Sequence, residues 1–168
     1  VLSKQTKYGE VPIRGFECST QQLPKLKKKF DSYNDFAHAE VSDLIDVDKK
    51  KSLQLEANDF RSGYLRLQNG KYTFIPFPNM TQISCVQGFE ILDVNNDQIE
   101  DVVLVGNLFE AEVETTRHDA SVGLILLGGK KELAVLSPME SGFYAAGNAR
   151  DVRKIKIGKK QCLLVGNN

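Results

Sequence analysis

The sequence predicts a mainly β protein of antiparallel four-stranded blades, a partial β-propeller, with a short N-terminal helical segment. Three observations predict this class. Short apolar runs separated by Gly, Asn and Asp fill the chain after about residue 50. Pairs of turn-forming residues stand between some of these runs, and one stretch of sequence recurs further along the chain.

Composition limits the classes of function before any motif is considered. The chain has 168 residues, of which 41% are hydrophobic and 26% charged, as in an ordinary globular domain. Its 22 basic and 22 acidic residues cancel, whereas binding to nucleic acid phosphates needs a basic excess. No apolar run approaches the ~18 residues that a membrane span requires. We therefore expect neither a nucleic acid partner nor a membrane span in this sequence.

The residue pattern of the N-terminal part differs from that of the rest, so we predict two parts, residues 1–50 and residues 51–168. Residues 1–21 are polar and read as irregular, and apolar spacing from Gln21 to about Ile45 predicts short helices that pack on the sheet. Ser19 or Thr20 is the predicted cap of the first helix. The polar stretch 32–35 predicts a break between two helices.

The second part reads as a series of short strands. Asn69-Gly70 and Gly128-Gly129 stand between paired runs, which is typical of tight hairpins in an antiparallel sheet. The predicted strands are Leu53–Ala57, Tyr64–Leu67, Tyr72–Ile75, Phe89–Leu92, Val102–Val105, Gly123–Leu127, Leu133–Leu136, Val152–Ile157 and Cys162–Val165.

An internal repeat organises these strands into units. Val105-Gly106-Asn107 recurs as Val165-Gly166-Asn167, and Leu55-Glu56-Ala57-Asn58 is a weaker third copy. The pattern predicts four-stranded units: most of one blade (53–77), a whole blade (89–136) with an inserted loop at 108–120, and half of another (149–167). The alternative is a single sheet or sandwich whose strands resemble each other by chance.

An acidic turn joins the first two strands of the complete unit. Oxygen donors stand at positions 1, 3, 5, 7 and 9 of this turn, the seventh being a backbone carbonyl, and such a set suits calcium. The predicted ligands are Asp93, Asn95, Asp97, Ile99 and Asp101. Gln98 occupies a position in the turn where Gly would adopt a left-handed backbone conformation at a lower energy, which predicts weak calcium binding. The alternative is a turn whose Asp and Asn side chains bond nearby backbone amides.

The acidic turn, followed by an apolar strand, resembles the FG-GAP/VCBS repeats of integrin α-subunit propellers. The chain as a whole is similar to the C-terminal part of bacterial VCBS-repeat proteins associated with ASPIC/UnbV. The segments that carry this resemblance are Arg14–Pro24, Leu55–Asn58, Gly106–Phe109, Arg117–Ala120 and Glu140–Phe143.

The resemblance implies an exported, cell-envelope or cell-surface protein that works in adhesion or complex assembly, with a protein or glycan partner. It implies no catalytic activity, and the residues agree: the two histidines, His38 and His118, accompany no recognisable nucleophile motif. The alternative is a carbohydrate-binding or polysaccharide-processing component that uses the 108–120 loop. Open strand edges also predict a homodimer.

Three cysteines, Cys18, Cys85 and Cys162, lie far apart in the sequence and form no Cys-x-x-Cys motif. They permit one disulfide with a free thiol, or three free thiols, and they do not identify the compartment.

Overall fold

The computed structural model of the chain describes residues 1–45, 51, 53–112, 115–129 and 132–168. These residues form two compact units, Val1–Ala57 and Asn58–Asn168. Within the described residues, no helix has the length and apolar character needed to cross a membrane.

The first unit combines a small hairpin with short helices. Its elements are β1 (Ser3–Thr6), β2 (Gly9–Pro12), α1 (Phe16–Gln22), a 3₁₀ helix (Pro24–Lys28), α2 (Tyr33–Ala37) and α3 (Val41–Leu44). A buried cluster of Leu26, Phe36, Ala39 and Leu44 holds the helices together. The apolar spacing that predicted helices here is the spacing of these core residues.

Three details of the first unit correct the sequence analysis. Residues 1–21 are not irregular, because β1 pairs with β2 in antiparallel register and α1 begins at Phe16. Ser19 and Thr20 do not cap a helix: both lie buried inside α1, where their hydroxyls donate to backbone carbonyls of Arg14 and Glu17. The predicted break at 32–35 is displaced: the non-helical residues are 29–32, Ser32 caps α2, and Tyr33 to Asp35 lie inside that helix.

The second unit contains the remaining strands and one further short helix. Its elements are β3 (Gly63–Gln68), β4 (Lys71–Pro76), a 3₁₀ helix (Asn79–Gln82), β5 (Gly88–Leu92), β6 (Asp101–Val105), β7 (Leu124–Leu127), β8 (Ala134–Leu136), α4 (Pro138–Ser141), β9 (Ala149–Ile157) and β10 (Lys160–Asn167). The described strands pair antiparallel throughout, so the prediction of a mainly β, antiparallel protein is confirmed.

Strands β5 to β8 form a four-stranded sheet in chain order, as predicted for the complete unit. The register places Glu90 opposite Val103, and Val103 opposite Ile125. Residues on this face, Val103 and Ile125 among them, belong to the buried core. Pairs β3–β4 and β9–β10 form separate two-stranded sheets, so the sheets are small and open.

The β9–β10 hairpin lies against the four-stranded sheet. Val152 is fully buried and shares the core cluster with Val103 and Val105. The approach is close at Gly88, where a Cβ atom would stand 2.8 Å from Cα of Asp151. Strand β9 therefore covers the core face of β5 only because Gly88 has no side chain.

Turn chemistry confirms one predicted hairpin. Asn69 and Gly70 link β3 to β4 with φ angles of 51° and 73°, the left-handed pair that a two-residue hairpin of this type needs.

The predicted strand Leu53–Ala57 is wrong: these residues are exposed and lie in no strand. The corresponding strand of the complete unit ends in Val105-Gly106, where Val105 is buried and Gly106 has φ 151°. A Cβ on Gly106 would stand 2.3 Å from the carbonyl oxygen of Cys85. The weaker copy has Glu56 and Ala57 at these two positions, so it meets neither requirement.

Candidate functional site

The predicted calcium ligands lie in and beside the turn that links β5 to β6. Asp93 to Glu100 form the turn, and Asp101 is the first residue of β6. Two turn residues, Asn96 and Gln98, have left-handed backbone angles, with φ of 62° and 68°. The strain anticipated at Gln98 is therefore present in the backbone.

Side-chain oxygens of the turn converge on a short run of backbone amides. The Asp97 N–H donates to both Asp93 Oδ1 (3.2 Å) and Asn95 Oδ1 (3.0 Å). The Gln98 N–H donates to Asp93 Oδ2 (2.9 Å), and the Ile99 N–H donates to Asp97 Oδ1 (2.8 Å). These contacts bring three of the predicted ligand side chains together, and they are the side-chain-to-amide bonds of the alternative interpretation.

Asp101 has different partners from the other four predicted ligands. Its side chain is completely buried, and its two oxygens accept the Val94 N–H (2.9 Å) and the Gly128 N–H (2.7 Å). Gly128 belongs to the β7–β8 connection, and a Cβ there would stand 2.2 Å from the Glu100 carbonyl oxygen. Asp101 therefore ties the acidic turn to the neighbouring turn of the same sheet.

The oxygen atoms of the predicted ligands are of the kind that a hard cation such as calcium binds, but only some of them are placed to bind one ion together. Asp93, Asn95 and Asp97 offer converging oxygens with lone pairs to spare, because a carboxylate can accept about four hydrogen bonds. Asp101 points its oxygens at two amides instead. Across the part of the chain that the structure describes, no group of three or more His, Cys, Asp or Glu side chains is placed to hold a metal ion. Calcium at this turn stays a prediction.

The inserted loop at 108–120 is closed on itself and anchored to β9. Leu108 and His118 exchange two backbone hydrogen bonds (2.7 and 3.1 Å). Arg117 stacks over the Phe109 ring at 4.7 Å. Predicted loop residue Glu114 lies outside the described residues.

Glu110 is the anchor of this loop. Its carboxylate accepts hydrogen bonds from Asn148 Nδ2 (2.8 Å) and Asn168 Nδ2 (3.1 Å), and it forms an ion pair with Arg150. Its own backbone amide, followed by Arg150 and Asn148, lowers the pKa of Glu110 below its ordinary value, against an opposing effect of desolvation. Glu110 therefore holds the loop to the residues at the start of β9 and after the end of β10.

A buried amide network surrounds Asn107, a residue to which the sequence analysis gave no role. Asn107 Nδ2 donates to the carbonyl oxygens of Ser121 (2.9 Å) and Gly147 (2.7 Å). Its Oδ1 accepts the Ser84 hydroxyl (2.7 Å) and the Ser121 N–H (3.0 Å). One side chain thereby joins the end of β6 to three other segments. The signal that could have identified it is the recurrence of Asn after Val-Gly.

The described residues form a crevice of about 10 Å³ beside Thr81 and Leu104 and another of about 20 Å³ beside Leu23 and Leu44. Such volumes hold about one water molecule. Cys18, Cys85 and Cys162 are half-buried, and none of them is in a disulfide bond.

Comparison with protein-family models, with curated proteins and with solved structures found no match to this chain.

Proposed function

We propose that this chain is a non-catalytic interaction scaffold of FG-GAP/VCBS-like blades, exposed outside the cell or in the cell envelope. The observation that carries the proposal is the four-stranded antiparallel unit β5–β8, with an acidic turn between its first two strands. The strand pair β9–β10 is antiparallel like β5–β6, and a Val-Gly-Asn sequence stands at the end of the second strand in each pair. A rigid sheet that presents turns and loops is a scaffold for recognition.

The described strands of the second unit support a binding role. Large apolar side chains are exposed on them, Leu65 and Tyr72 among them, and exposed apolar patches are typical of interaction surfaces.

Calcium at the acidic turn is part of this proposal, and thermal unfolding tests it. Asp93, Asn95 and Asp97 would hold the ion, which would neutralise their charge and order the turn. With a Kd of about 1 mM, typical of weak extracellular sites, 10 mM calcium would stabilise the fold by about 1.4 kcal/mol. In a protein of this size that corresponds to a rise in Tm of ~3–6 °C.

The matched variants are Asp93→Ala, which removes a ligand, and Asp59→Ala, which removes an exposed acid paired with Arg61 outside the turn. We expect the calcium-dependent rise in Tm to disappear only in Asp93→Ala. An unchanged Tm between calcium and chelator in the parent chain would exclude the metal and leave the scaffold role to be tested separately.

The location and the kind of partner need their own measurements. In intact cells that produce the chain, protease added outside should digest it, and resistance until lysis would contradict surface exposure. A glycan array separates the two binding roles, because a protein-binding scaffold should enrich no glycan and a carbohydrate-binding component should enrich one class.

A further inference from the structure

The turn between β3 and β4 contains Asn69-Gly70, the single place in the sequence where Asn stands directly before Gly. The carbon of an Asn side-chain amide is electrophilic, and the backbone nitrogen of the following residue can bond to it in a five-membered ring. Gly as the following residue favours this ring closure, because it has no Cβ to crowd the nitrogen. The sequence therefore places a reactive amide beside the least hindered nitrogen that a backbone offers.

The turn leaves both reacting groups accessible. Asn69 and Gly70 are exposed, with φ angles of 51° and 73°. A Cβ placed on Gly70 would meet no atom within 4 Å, so the space beside it is open. Among the residues that the structure describes, no turn or loop hydrogen bond uses the Gly70 N–H as its donor. The Gly70 nitrogen is therefore neither crowded nor held away from the Asn69 side chain.

The hairpin is fixed at its base and exposed at its tip. At the base, the Phe77 N–H donates to the Ser62 carbonyl oxygen (2.9 Å), and the Phe77 ring stacks on Tyr64. Toward the turn, the last four residues of β3 and the first four of β4 are exposed. Ring closure requires Asn69 to rotate its backbone out of the turn conformation, and strand ends with few buried contacts open at little cost. The tip therefore reaches the reactive geometry by local opening, without unfolding of the second unit.

We infer that Asn69 is a modification site, at which the side-chain amide is converted spontaneously into a carboxylate. The Gly70 nitrogen bonds to Cγ of Asn69, and the side-chain nitrogen leaves as ammonia with the proton that the Gly70 nitrogen has lost, which gives a cyclic succinimide. Water, the only co-reactant, then opens the ring at one of its two carbonyl carbons. Cleavage between the nitrogen and the side-chain carbonyl gives aspartate, and cleavage between the nitrogen and the backbone carbonyl gives isoaspartate.

Isoaspartate changes the hairpin, because the main chain then runs through the former side chain and gains one carbon atom. A two-residue turn with two left-handed angles fits only a backbone of normal length. The pairing next to the turn, Gln68 with Lys71, should therefore be lost, and the neighbouring pair of Leu67 with Tyr72 weakened. The reaction is a one-way switch of the exposed end of this sheet. It goes beyond the scaffold role proposed above and does not depend on it.

Asn96 in the acidic turn is an internal control, since it is also exposed and also has a left-handed φ, 62°. The residue after it is Asp97, whose Cβ crowds the attacking nitrogen. The Asp97 N–H also donates to Asp93 Oδ1 (3.2 Å) and Asn95 Oδ1 (3.0 Å), which retains its proton. Because these two hydrogen bonds must break before the nitrogen can attack, we expect Asn69 to react at least ~10-fold faster than Asn96.

Peptide mapping of the full chain after incubation in mildly alkaline buffer tests the inference, because the reaction begins with loss of the Gly70 amide proton and so accelerates as pH rises. Mass spectrometry detects the exchange of an amide for a carboxyl group, and chromatography separates isoaspartyl from aspartyl peptides. The reference is a synthetic peptide with the sequence of Leu67–Tyr72, which has no hairpin to open. Since local opening costs little, Asn69 in the protein should react within ~100-fold of the peptide's rate. A slower reaction, or equal rates at Asn69 and Asn96, overturns the inference.

Two further comparisons separate the reaction from its effect on the hairpin. Asn69→Gln should give no product at the turn, because the longer side chain would have to close a six-membered ring, which forms far more slowly. Product that forms equally in Asn69→Gln would exclude Asn69 as its source. Hydrogen exchange of the parent chain before and after incubation should show amide protection lost at Lys71 and Tyr72 and kept at Val103 in β6. Modified protein that keeps its protection at the tip of the hairpin would overturn the switch.

Discussion

Replacement of Asn107 by Ala should be among the most destabilising single changes in the second unit. Asn107 is 1% exposed, and its amide uses both donors and both acceptor positions on partners in Ser84, Ser121 and Gly147. Each hydrogen bond contributes about 0.5–1.5 kcal/mol net, and partners left buried without a bond cost more. Four bonds therefore give a loss of about 4 kcal/mol in the free energy of unfolding.

The loss is measurable by two methods. For a domain of this size, 1 kcal/mol shifts Tm by ~2–4 °C, so Asn107→Ala should lower Tm by ~8–16 °C. Urea unfolding should give the free energy directly, with an unchanged m-value if the variant stays two-state. Asn107→Asp should be at least as unstable, because it keeps the size but loses both donors and buries a charge.

Asn167 supplies the matched control for this prediction. It occupies the same place in the repeat, after Val165-Gly166, but its side chain is exposed. Asn167→Ala should change stability by less than ~0.5 kcal/mol, as surface substitutions usually do. A loss below 1 kcal/mol for Asn107→Ala, or equal losses at both positions, would refute the assignment of Asn107 as a buried structural link.

Two further predictions concern the acidic turn and the loop anchor. Gln98→Gly should raise Tm by ~1–4 °C, because a φ of 68° costs a residue with a side chain about 1 kcal/mol that Gly avoids. Asn96→Gly, at a φ of 62°, should raise Tm by less, since Asn tolerates this conformation. A lower Tm for Gln98→Gly would contradict the inference that the backbone at Gln98 is strained. Because the pKa of Glu110 is lowered in the folded state, its contribution is full above about pH 4.3, the ordinary value, and is lost as pH falls through the folded pKa. The difference in stability between the parent chain and Glu110→Gln should thus be constant from pH 7 to 5 and shrink below pH 4. A difference that grows on acidification would exclude the charged Glu110 carboxylate as its cause.

Short apolar runs bounded by turn residues were sufficient to predict the strands of the complete unit, which lie at the predicted places. Its inner strands are buried on both faces, with Val103 on one and Leu126 on the other, so the runs are apolar throughout. Asn69-Gly70 predicted its hairpin for a similarly local reason, since few other residue pairs tolerate two left-handed angles.

Failures of the sequence analysis came where distant residues decide the outcome. The pattern at Leu53–Ala57 is that of a strand, but these residues are exposed and lie in no strand, and Ala57 stands where β6 is followed by Gly106, which the backbone of Cys85 approaches closely. Ser19 and Thr20 look like caps by residue type, yet hydrogen bonds to Arg14 and Glu17 place them inside α1. Propensity alone does not report these partners.

Asp101 shows the same limit at the candidate site. Its spacing from Asp93 is that of a ninth-position ligand, and nothing in the sequence near it indicates a second partner. The partner is the Gly128 N–H, 27 residues further along the chain, which becomes a neighbour only when β7 pairs with β6. Spacing could therefore predict which oxygens gather at the turn, but not which of them the sheet would take for its own hydrogen bonds.

The two Val-Gly-Asn sequences show how little of a residue's role an identical tripeptide determines. Both stand at the end of the second strand of an antiparallel pair, but β6 ends at Val105 and Gly106 follows it with φ 151°, whereas Val165, Gly166 and Asn167 all lie within β10. Asn107 nevertheless lies in a ring of partners from Ser84, Ser121 and Gly147, whereas Asn167 faces solvent. Since the tripeptide is identical, the segments around it must determine whether its Asn is a core hydrogen-bonding group or a surface side chain. We therefore interpret a recurring polar residue as a hydrogen-bonding position whose partners depend on the neighbouring segments of the same chain.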